Sequence, residues 1–232
     1  GGSFAELAQD GTNNASTQNQ DGSGNIGLVD QGSNALNSQI GTWDVNQGVM
    51  TSIYDYTGTP NGDSKNGIAF QDQTGDDNKA YIGQFDGIGT ANSASQTQEG
   101  NGNTAYMKQN SYTSTGDNTN GDGGGNIGEQ VQTNDGSIAG LVQLGRRNVA
   151  LQTQHRNDDV FSIQDGRRNL LNTVQAGGQN IAHTIQIGDD NQAFVTQNMG
   201  QGYVVEQGLN SLMSSGNTVQ VHQYGPIGAI PN

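Results

Sequence analysis

One eleven-residue phrase returns through the middle of the chain with almost no drift. Its pattern is a glutamine, then glycine, asparagine and alanine at the third, sixth and eighth positions, and a closing glutamine that opens the next copy. The clearest copies are QLGRRNVALQTQ (143–154), QAGGQNIAHTIQ (175–186) and QIGDDNQAFVTQ (186–197). This fixed register argues against a disordered chain, although only 30% of the residues are hydrophobic.

The spacing from the asparagine to the closing glutamine is typical of an extended strand. Side chains alternate along a strand, so Asn148, Ala150 and Gln154 lie on one side of it. Glycine and polar residues between one glutamine and the next asparagine favour a corner. Two strands and two corners, about 22 residues, close one coil, and coils stack at the strand spacing of about 4.8 Å. The repeat therefore predicts an all-β, cross-β solenoid of stacked strand-turn-strand coils.

Degenerate copies extend this register over most of the chain. Counting all of them gives about 18 strands, hence about nine coils and a stack on the order of 40 Å long. The segments near 50–65 and 110–125 break the period and are predicted to be loops that leave the coil. Pro60 lies in the first loop, and the second is too rich in glycine for a strand interior. The chain is otherwise interpreted as one solenoid domain, residues 1–232.

Two of the degenerate copies depend on less regular spacing. QGSNALNSQ (31–39) is assigned a strand after a tighter corner, with Asp44 at the next asparagine position. In the copy that ends at Gln164, Asp159 and Phe161 are assigned to the asparagine and alanine positions.

The interior amides impose the strongest physical condition on this fold. A buried hydrogen-bonding group without a partner costs about 1–3 kcal/mol. Stacking removes this cost, because asparagine above asparagine and glutamine above glutamine form a continuous ladder along the axis. The predicted ladder consists of Gln73, Asn78, Gln84, Asn92, Gln98, Asn103, Gln109, Gln143, Asn148, Gln154, Asn169, Gln175, Asn180, Gln186, Asn191 and Gln197. The predicted corner glycines are Gly75, Gly100, Gly145, Gly166, Gly177 and Gly188.

The phrase resembles the curlin repeat, which is found in the subunits of curli, the extracellular amyloid fibres of bacterial biofilms. The resemblance covers most of the chain and depends on the fixed glutamine, glycine, asparagine and alanine positions. It implies a subunit that is exported unfolded through an outer-membrane pore of a Gram-negative-type bacterium. It also implies assembly at the cell surface or in the biofilm matrix, with the chain itself as the principal partner. A nucleating subunit and the export machinery would be further partners, and the resemblance leaves open whether this chain is a major or a minor curlin.

Composition and motifs exclude several other functions. The formal net charge is −14 with only 8 Lys and Arg, which disfavours nucleic acid as a partner. No apolar stretch approaches the roughly 20 residues of a membrane-spanning helix. The sequence shows no nucleophile with a paired base, no phosphate loop and no Cys/His cluster, so neither an enzyme nor a cofactor is expected.

A few acidic segments raise the question of calcium. Residues 118–129 match much of a calcium-loop template, with Asn118, Asp122 and Glu129 at the first, fifth and twelfth positions. The same segment, however, fits a strand that points Glu129 outward. The pairs Asp76-Asp77 and Asp189-Asp190 are interpreted as turn residues, since Asp readily bonds to its own backbone. No metal site is therefore assigned.

Two arginine pairs form a candidate interaction corner. Arg146-Arg147 and Arg167-Arg168 are 21 residues apart, about one coil, so they are expected on the same corner in successive layers. Asp189-Asp190 is expected one layer further on. The corner is interpreted either as a contact for polyanions or acidic surfaces, or as a gatekeeper that discourages lateral association.

These observations leave two hypotheses for function. The first is a fibre subunit that polymerises by templated end-to-end stacking of β-solenoids. The alternative is a monomeric β-solenoid adhesin or calcium-dependent surface-binding module, which would fold with calcium and form no fibres.

Overall fold

The computed structural model describes residues 2–32, 64–85, 89–110, 123–208 and 216–224. All regular secondary structure in these residues consists of β-strands, which confirms the all-β prediction. The predicted loops near 50–65 and 110–125 lie almost entirely outside the described residues.

The strands form two tall parallel sheets. Sheet I consists of β1 (Phe4–Gln9), β4 (Ile26–Gln31), β7 (Lys79–Phe85), β10 (Thr104–Asn110), β13 (Ile138–Arg146), β15 (Asp159–Arg167), β17 (Ile181–Asp189) and β19 (Gly202–Gln207), stacked in this order. Sheet II consists of β3 (Ala15–Asp21), β6 (Ile68–Thr74), β9 (Ser93–Glu99), β12 (Ile127–Thr133), β14 (Val149–Gln154), β16 (Leu170–Ala176), β18 (Gln192–Asn198) and β20 (Thr218–Gln223), again in chain order.

Four two-residue strands lie at the corners. These are β2 (Gly11–Thr12), β5 (Ser64–Lys65), β8 (Gly89–Thr90) and β11 (Gly123–Gly124). The pair β2 and β5 forms a separate two-stranded sheet, whereas β8 and β11 pair with each other and extend sheet I.

One strand of each sheet makes a layer, and the described residues form eight layers, or about seven turns. We number them from layer 1 (β1 and β3) to layer 8 (β19 and β20). About nine coils were expected. The difference arises between layers 1 and 3, where β3 pairs directly with β6, and β4 pairs directly with β7. No layer lies between β3 and β6 or between β4 and β7. The strands assigned to 31–39 and to the copy with Asp44 fall outside the described residues, apart from Gln31 and Gly32.

The register between strands places equivalent repeat positions above one another. Gln143 pairs with Gln164, and Gln164 with Gln186. One assignment was wrong by a residue: Asp158 and Val160, not Asp159 and Phe161, hold the asparagine and alanine positions of layer 6. Val160 pairs with Ala182. The reason is the constant six-residue distance from the asparagine position to the closing glutamine, which from Gln164 leads back to Asp158.

The core lies between the sheets and is thin. Its apolar members are mostly small, and Ala80, Ala105, Ala139 and Ala150 are fully buried. Larger aliphatic residues fill the central column of sheet I, which runs through Val29, Ile82, Met107 and Leu141.

The outer face of sheet I is also largely buried in layers 2 to 6. It holds a second apolar cluster of Leu28, Tyr81, Tyr106, Val142, Leu144, Phe161 and Ile163. Lys108 is buried on this face with its ammonium 5.4 Å from the centre of the Phe85 ring, and burial lowers the pKa of Lys108 to about 8. The outward residues of sheet II, in contrast, stay at least partly exposed from end to end. The two faces of the solenoid therefore differ.

The sequence has 7 Tyr and 1 Trp. Tyr81 and Tyr106 lie on the outer face of sheet I and stack with ring centroids 5.3 Å apart. Trp43 is outside the described residues. The described residues contain no helix that is long and apolar enough to span a membrane.

Candidate functional site: the amide ladders

The closing glutamines of sheet I form one continuous hydrogen-bonded column. Each Nε2 donates to the Oε1 of the glutamine in the next layer, over distances of 2.6–2.9 Å. The column runs through Gln9, Gln31, Gln84, Gln109, Gln143, Gln164, Gln186 and Gln207. It thus passes through all eight layers.

Sheet II carries an equivalent column. Its members are Gln20, Gln73, Gln98, Gln132, Gln154, Gln175, Gln197 and Gln223, joined over 2.8–3.3 Å. Most glutamines of both columns also donate their second Nε2 hydrogen across the core to a backbone carbonyl of the other sheet. Gln98 donates to Lys79 O at 2.9 Å, and Gln143 donates to Ile127 O at 3.0 Å. The glutamines therefore link layer to layer and sheet to sheet.

The asparagines hold the corners in the same manner. Asn148 Oδ1 accepts a hydrogen bond from Asn169 N at 3.0 Å. Its Nδ2 donates to Leu144 O at 2.9 Å in its own corner and to Gly166 O at 3.1 Å in the next. All polar atoms of this fully buried side chain have partners, as burial requires. The Oδ1 atoms of Asn78, Asn103, Asn126, Asn169 and Asn191 likewise accept from a backbone N of the next layer. The Nδ2 atoms of Asn78 and Asn103 also donate to a carbonyl in their own corner and to one in the next.

A third glutamine column was not predicted. It lies at the centre of sheet II and joins Gln18, Gln71, Gln96, Gln130 and Gln152 over 2.8–3.0 Å. The signal was a glutamine two residues before each closing glutamine in these five copies. The column ends in layer 5 at Gln152, because Thr173 takes the glutamine position in layer 6. Gln152 donates instead to Ser162 Oγ, which belongs to the opposite sheet in layer 6.

The predicted corner glycines adopt backbone conformations that L side chains rarely adopt. Gly166 has φ +128°, and a Cβ at this position would overlap the carbonyl oxygen of Gly188 in the next layer. The other five, Gly75, Gly100, Gly145, Gly177 and Gly188, have φ between +91° and +112°. The corners are thus too tightly stacked for a side chain at this point.

One carboxylate replaces an asparagine in the corner column of sheet I. Asp158 Oδ1 accepts from both the backbone N and the Nδ2 of Asn180, each at 2.9 Å. The adjacent Asp159 points outward. Burial, together with the charge of Asp158, raises the pKa of Asp159 to about 6.

The arginine corner is partly neutralised. Arg146 pairs with Arg167 in the strand register, and Arg167 pairs with Asp189. Arg167 Nη2 lies 2.6 Å from Asp189 Oδ2, and Arg168 contacts both carboxylate oxygens of Asp190 at 2.6 and 2.7 Å. Hydrogen bonding to Arg168 lowers the pKa of Asp190. Arg167 and Arg168 therefore have carboxylate partners in the next layer.

The acidic turns have partners within the corner. Asp76 Oδ1 accepts from the backbone N and Oγ of Ser23, at 2.8 and 2.9 Å, which lowers the pKa of Asp76. Glu129 is exposed on the outward face of sheet II, whereas Asn118 and Asp122 lie outside the described residues. Among the residues that are described, no three His, Asp or Glu side chains are grouped as ligands for a metal ion.

Comparison with known proteins gives one match. Residues 166–198 match the family profile described as Curlin associated repeat. No curated protein and no solved structure matches the chain. The match covers parts of layers 6 and 7. The repeat and the β-solenoid favour a structural protein of the curli-subunit type. Together, the repeated phrase, its stacked coils and the profile match over residues 166–198 support assignment of the chain to the curlin-repeat family.

Proposed function

We propose that the chain is the building subunit of an extracellular, curli-like amyloid fibre in the matrix of a bacterial biofilm. Subunits add end to end, with layer 8 of one copy placed on layer 1 of the next. The whole chain then acts as one solenoid unit, and export machinery and a nucleating subunit act before this step.

The observation that carries the proposal is the open interior of layer 1. Leu7 occupies the interior position that pairs with Val29 in the next layer. Val29 is completely buried, yet 46% of Leu7 is exposed, because no described layer precedes it. An interior side chain at an open end loses its burial unless another copy supplies the missing layer.

The ladders support a defined polarity for this addition. Every glutamine-to-glutamine bond donates from the layer nearer the N terminus to the layer nearer the C terminus. The column of closing glutamines in sheet II starts with Gln20 and ends with Gln223. Head-to-tail addition therefore places the Nε2 of Gln223 beneath the Oε1 of Gln20 in the next copy and continues the column in the same sense.

The direct test is seeded assembly of the purified chain. We expect fibres with a meridional reflection at about 4.8 Å, and a lag time that shortens when preformed fibres are added. A chain that stays a compact monomer in the presence of seeds would falsify the proposal. Folding that depends on calcium, without fibres, would instead support the monomeric surface-binding module.

A substitution at the open end tests the same proposal at one residue. Leu7→Lys puts a charge into the new junction, and we expect fibre elongation to slow at least about tenfold, because an unpaired buried charge is costly. Thr17→Lys is the matched control, because it adds the same charge to an exposed outward position of layer 1. Equal elongation rates for the two variants would argue against burial of layer 1 in the fibre.

A further inference from the structure

The outer face of sheet II carries an apolar patch on an otherwise polar and acidic molecule. In layers 4 to 6, each strand presents three central outward residues. Six of these nine are aliphatic and the other three are Glu129, Thr153 and Asn172; the aliphatic residues are Ile127, Val131, Val149, Leu151, Leu170 and Val174. Ile127 is 47% exposed. We call this surface the aliphatic face.

We propose that the aliphatic face docks on the same face of a second copy, with the two solenoids antiparallel. The two-fold axis runs along the strand direction and passes through layer 5. This axis places layer 4 opposite layer 6 of the partner copy, and layer 5 opposite itself. The contact is lateral and does not use the open ends, so it is independent of the proposed end-to-end addition.

Charge complementarity selects this arrangement. Three carboxylates lie on the outer face of sheet II between layers 2 and 8, namely Asp72, Glu99 and Glu129. In the antiparallel pair, Glu129 faces Asn172, Glu99 faces Asn198 and Asp72 faces His222 of the second copy. Each carboxylate thus meets a donor and none meets another carboxylate.

The parallel alternative lacks this match. With the two-fold axis along the stack, each layer faces itself, and the central column of outward residues pairs with its own copies. Glu129 then lies opposite Glu129 of the second copy, and two desolvated carboxylates repel each other. The antiparallel pair avoids this contact and sets Leu151 against Leu151 in an apolar centre.

The outer face of sheet II, with the aliphatic face at its centre, is large enough for a specific interface. Layers 2 to 8 span about 34 Å along the axis and about 20 Å along the strands. Pairing would bury on the order of 1,300 Å² in total, within the range of stable protein interfaces. Two flat β faces with alternating side chains pack at about 10 Å and form a dry contact. The formal net charge of −14 on each copy opposes the pairing, so salt should favour it.

Cross-linking tests the proposal, because the chain has no cysteine and each introduced thiol is unique. Val149→Cys and Thr153→Cys each face their own copies only in the antiparallel pair, and a short bis-maleimide should convert both full-length variants to covalent dimers. Ser95→Cys faces its own copy only in the parallel pair and should give little dimer. Copies stacked end to end hold the same residue about 38 Å apart, beyond the reach of the reagent. Cross-linking of Ser95→Cys, or none for Val149→Cys, overturns the proposal.

A charge variant distinguishes the pairing from chance collision. In the Val149→Cys background, Asn172→Asp puts a carboxylate opposite Glu129 and should lower the dimer yield at least about fivefold. Adding Glu129→Gln restores an amide opposite a carboxylate and should restore the yield. A yield that Asn172→Asp leaves unchanged, or that Glu129→Gln does not restore, contradicts the antiparallel contact.

Discussion

At the scale of single residues, the stability of this chain depends on amides that are buried and fully bonded. Gln143 donates to the glutamine above it and to a backbone carbonyl across the core, and accepts from Gln109 below. A side chain of this kind is costly in an ordinary core, yet here stacking supplies its partners. The composition that excludes a conventional apolar core is therefore the one that this fold requires.

Removing one rung of the ladder should have a large effect. Gln143→Ala removes the glutamine acceptor of Gln109 Nε2, which keeps its bond to Ser93 O, and leaves Gln164 Oε1 without its glutamine donor. We expect the free energy of unfolding to fall by about 3 kcal/mol, measured by denaturant titration. Gln192→Ala is the control, because Gln192 is exposed on the outward face of β18, and it should change stability by less than about 0.5 kcal/mol. Similar losses in both variants would contradict the ladder as a source of stability.

Asp159 should make stability depend on pH. Its folded pKa of about 6 lies above the usual 3.8, so folding favours the neutral carboxyl. This contribution is complete below pH 3.8 and is lost as the pH rises through 6. Asp159→Asn should therefore stabilise the fold at pH 7.5 by on the order of 1 kcal/mol, since solvent screens part of the effect, and change little near pH 3.5. Unfolding free energies at both pH values check this expectation, and equal changes at both would contradict it.

At the scale of elements, the corners decide how closely the layers stack. Many corners combine a glycine at positive φ with an asparagine whose side chain bonds to the next layer, as Gly166 and Asn169 do. A glycine at such a position lets the backbones of neighbouring corners approach each other closely.

A side chain at a corner glycine should be poorly tolerated. Gly166→Ala forces φ +128° on a residue with a Cβ and brings that Cβ against the carbonyl oxygen of Gly188. We expect a loss of at least about 2 kcal/mol in the free energy of unfolding. Gly202→Ala is a matched control, because no atom lies within 4 Å of the added Cβ. A neutral effect of Gly166→Ala would show that the corner relaxes.

At the scale of the whole molecule, two properties oppose each other. The open layer 1 and the aliphatic face favour association, whereas a formal net charge of −14 keeps free copies apart. The paired Arg167 and Arg168 neutralise only one corner. Association should therefore respond strongly to ionic strength.

Salt should accelerate assembly. Raising the salt from about 20 mM to about 300 mM shortens the Debye length from about 20 Å to about 6 Å, and we expect the lag time of fibre formation to fall several-fold. Light scattering or a fibre-binding dye checks this expectation. Because screening acts on charge and not on the ladders, the fibre diffraction pattern should stay the same at both salt concentrations.

The sequence by itself determined the periodic part of this protein. Side chains alternate along a strand and neighbouring coils repeat the same phrase, so local spacing was sufficient to predict the solenoid. It also predicted the interior positions of Asn148, Ala150 and Gln154 and the corner glycines. The third column through Gln71 and Gln96 was equally regular, but its central position became significant only when the register was known.

Tertiary structure decided what local spacing does not contain. Only the stacking of distant segments shows that β3 lies directly on β6, and that Asp158 takes the asparagine position. The same holds for the outer faces, since strand alternation says which residues point outward and not whether other parts of the chain bury them. Burial of Tyr81 and Lys108 on sheet I, and exposure of Ile127 on sheet II, depend on packing between residues far apart in the chain. That packing has no periodic signal in the sequence.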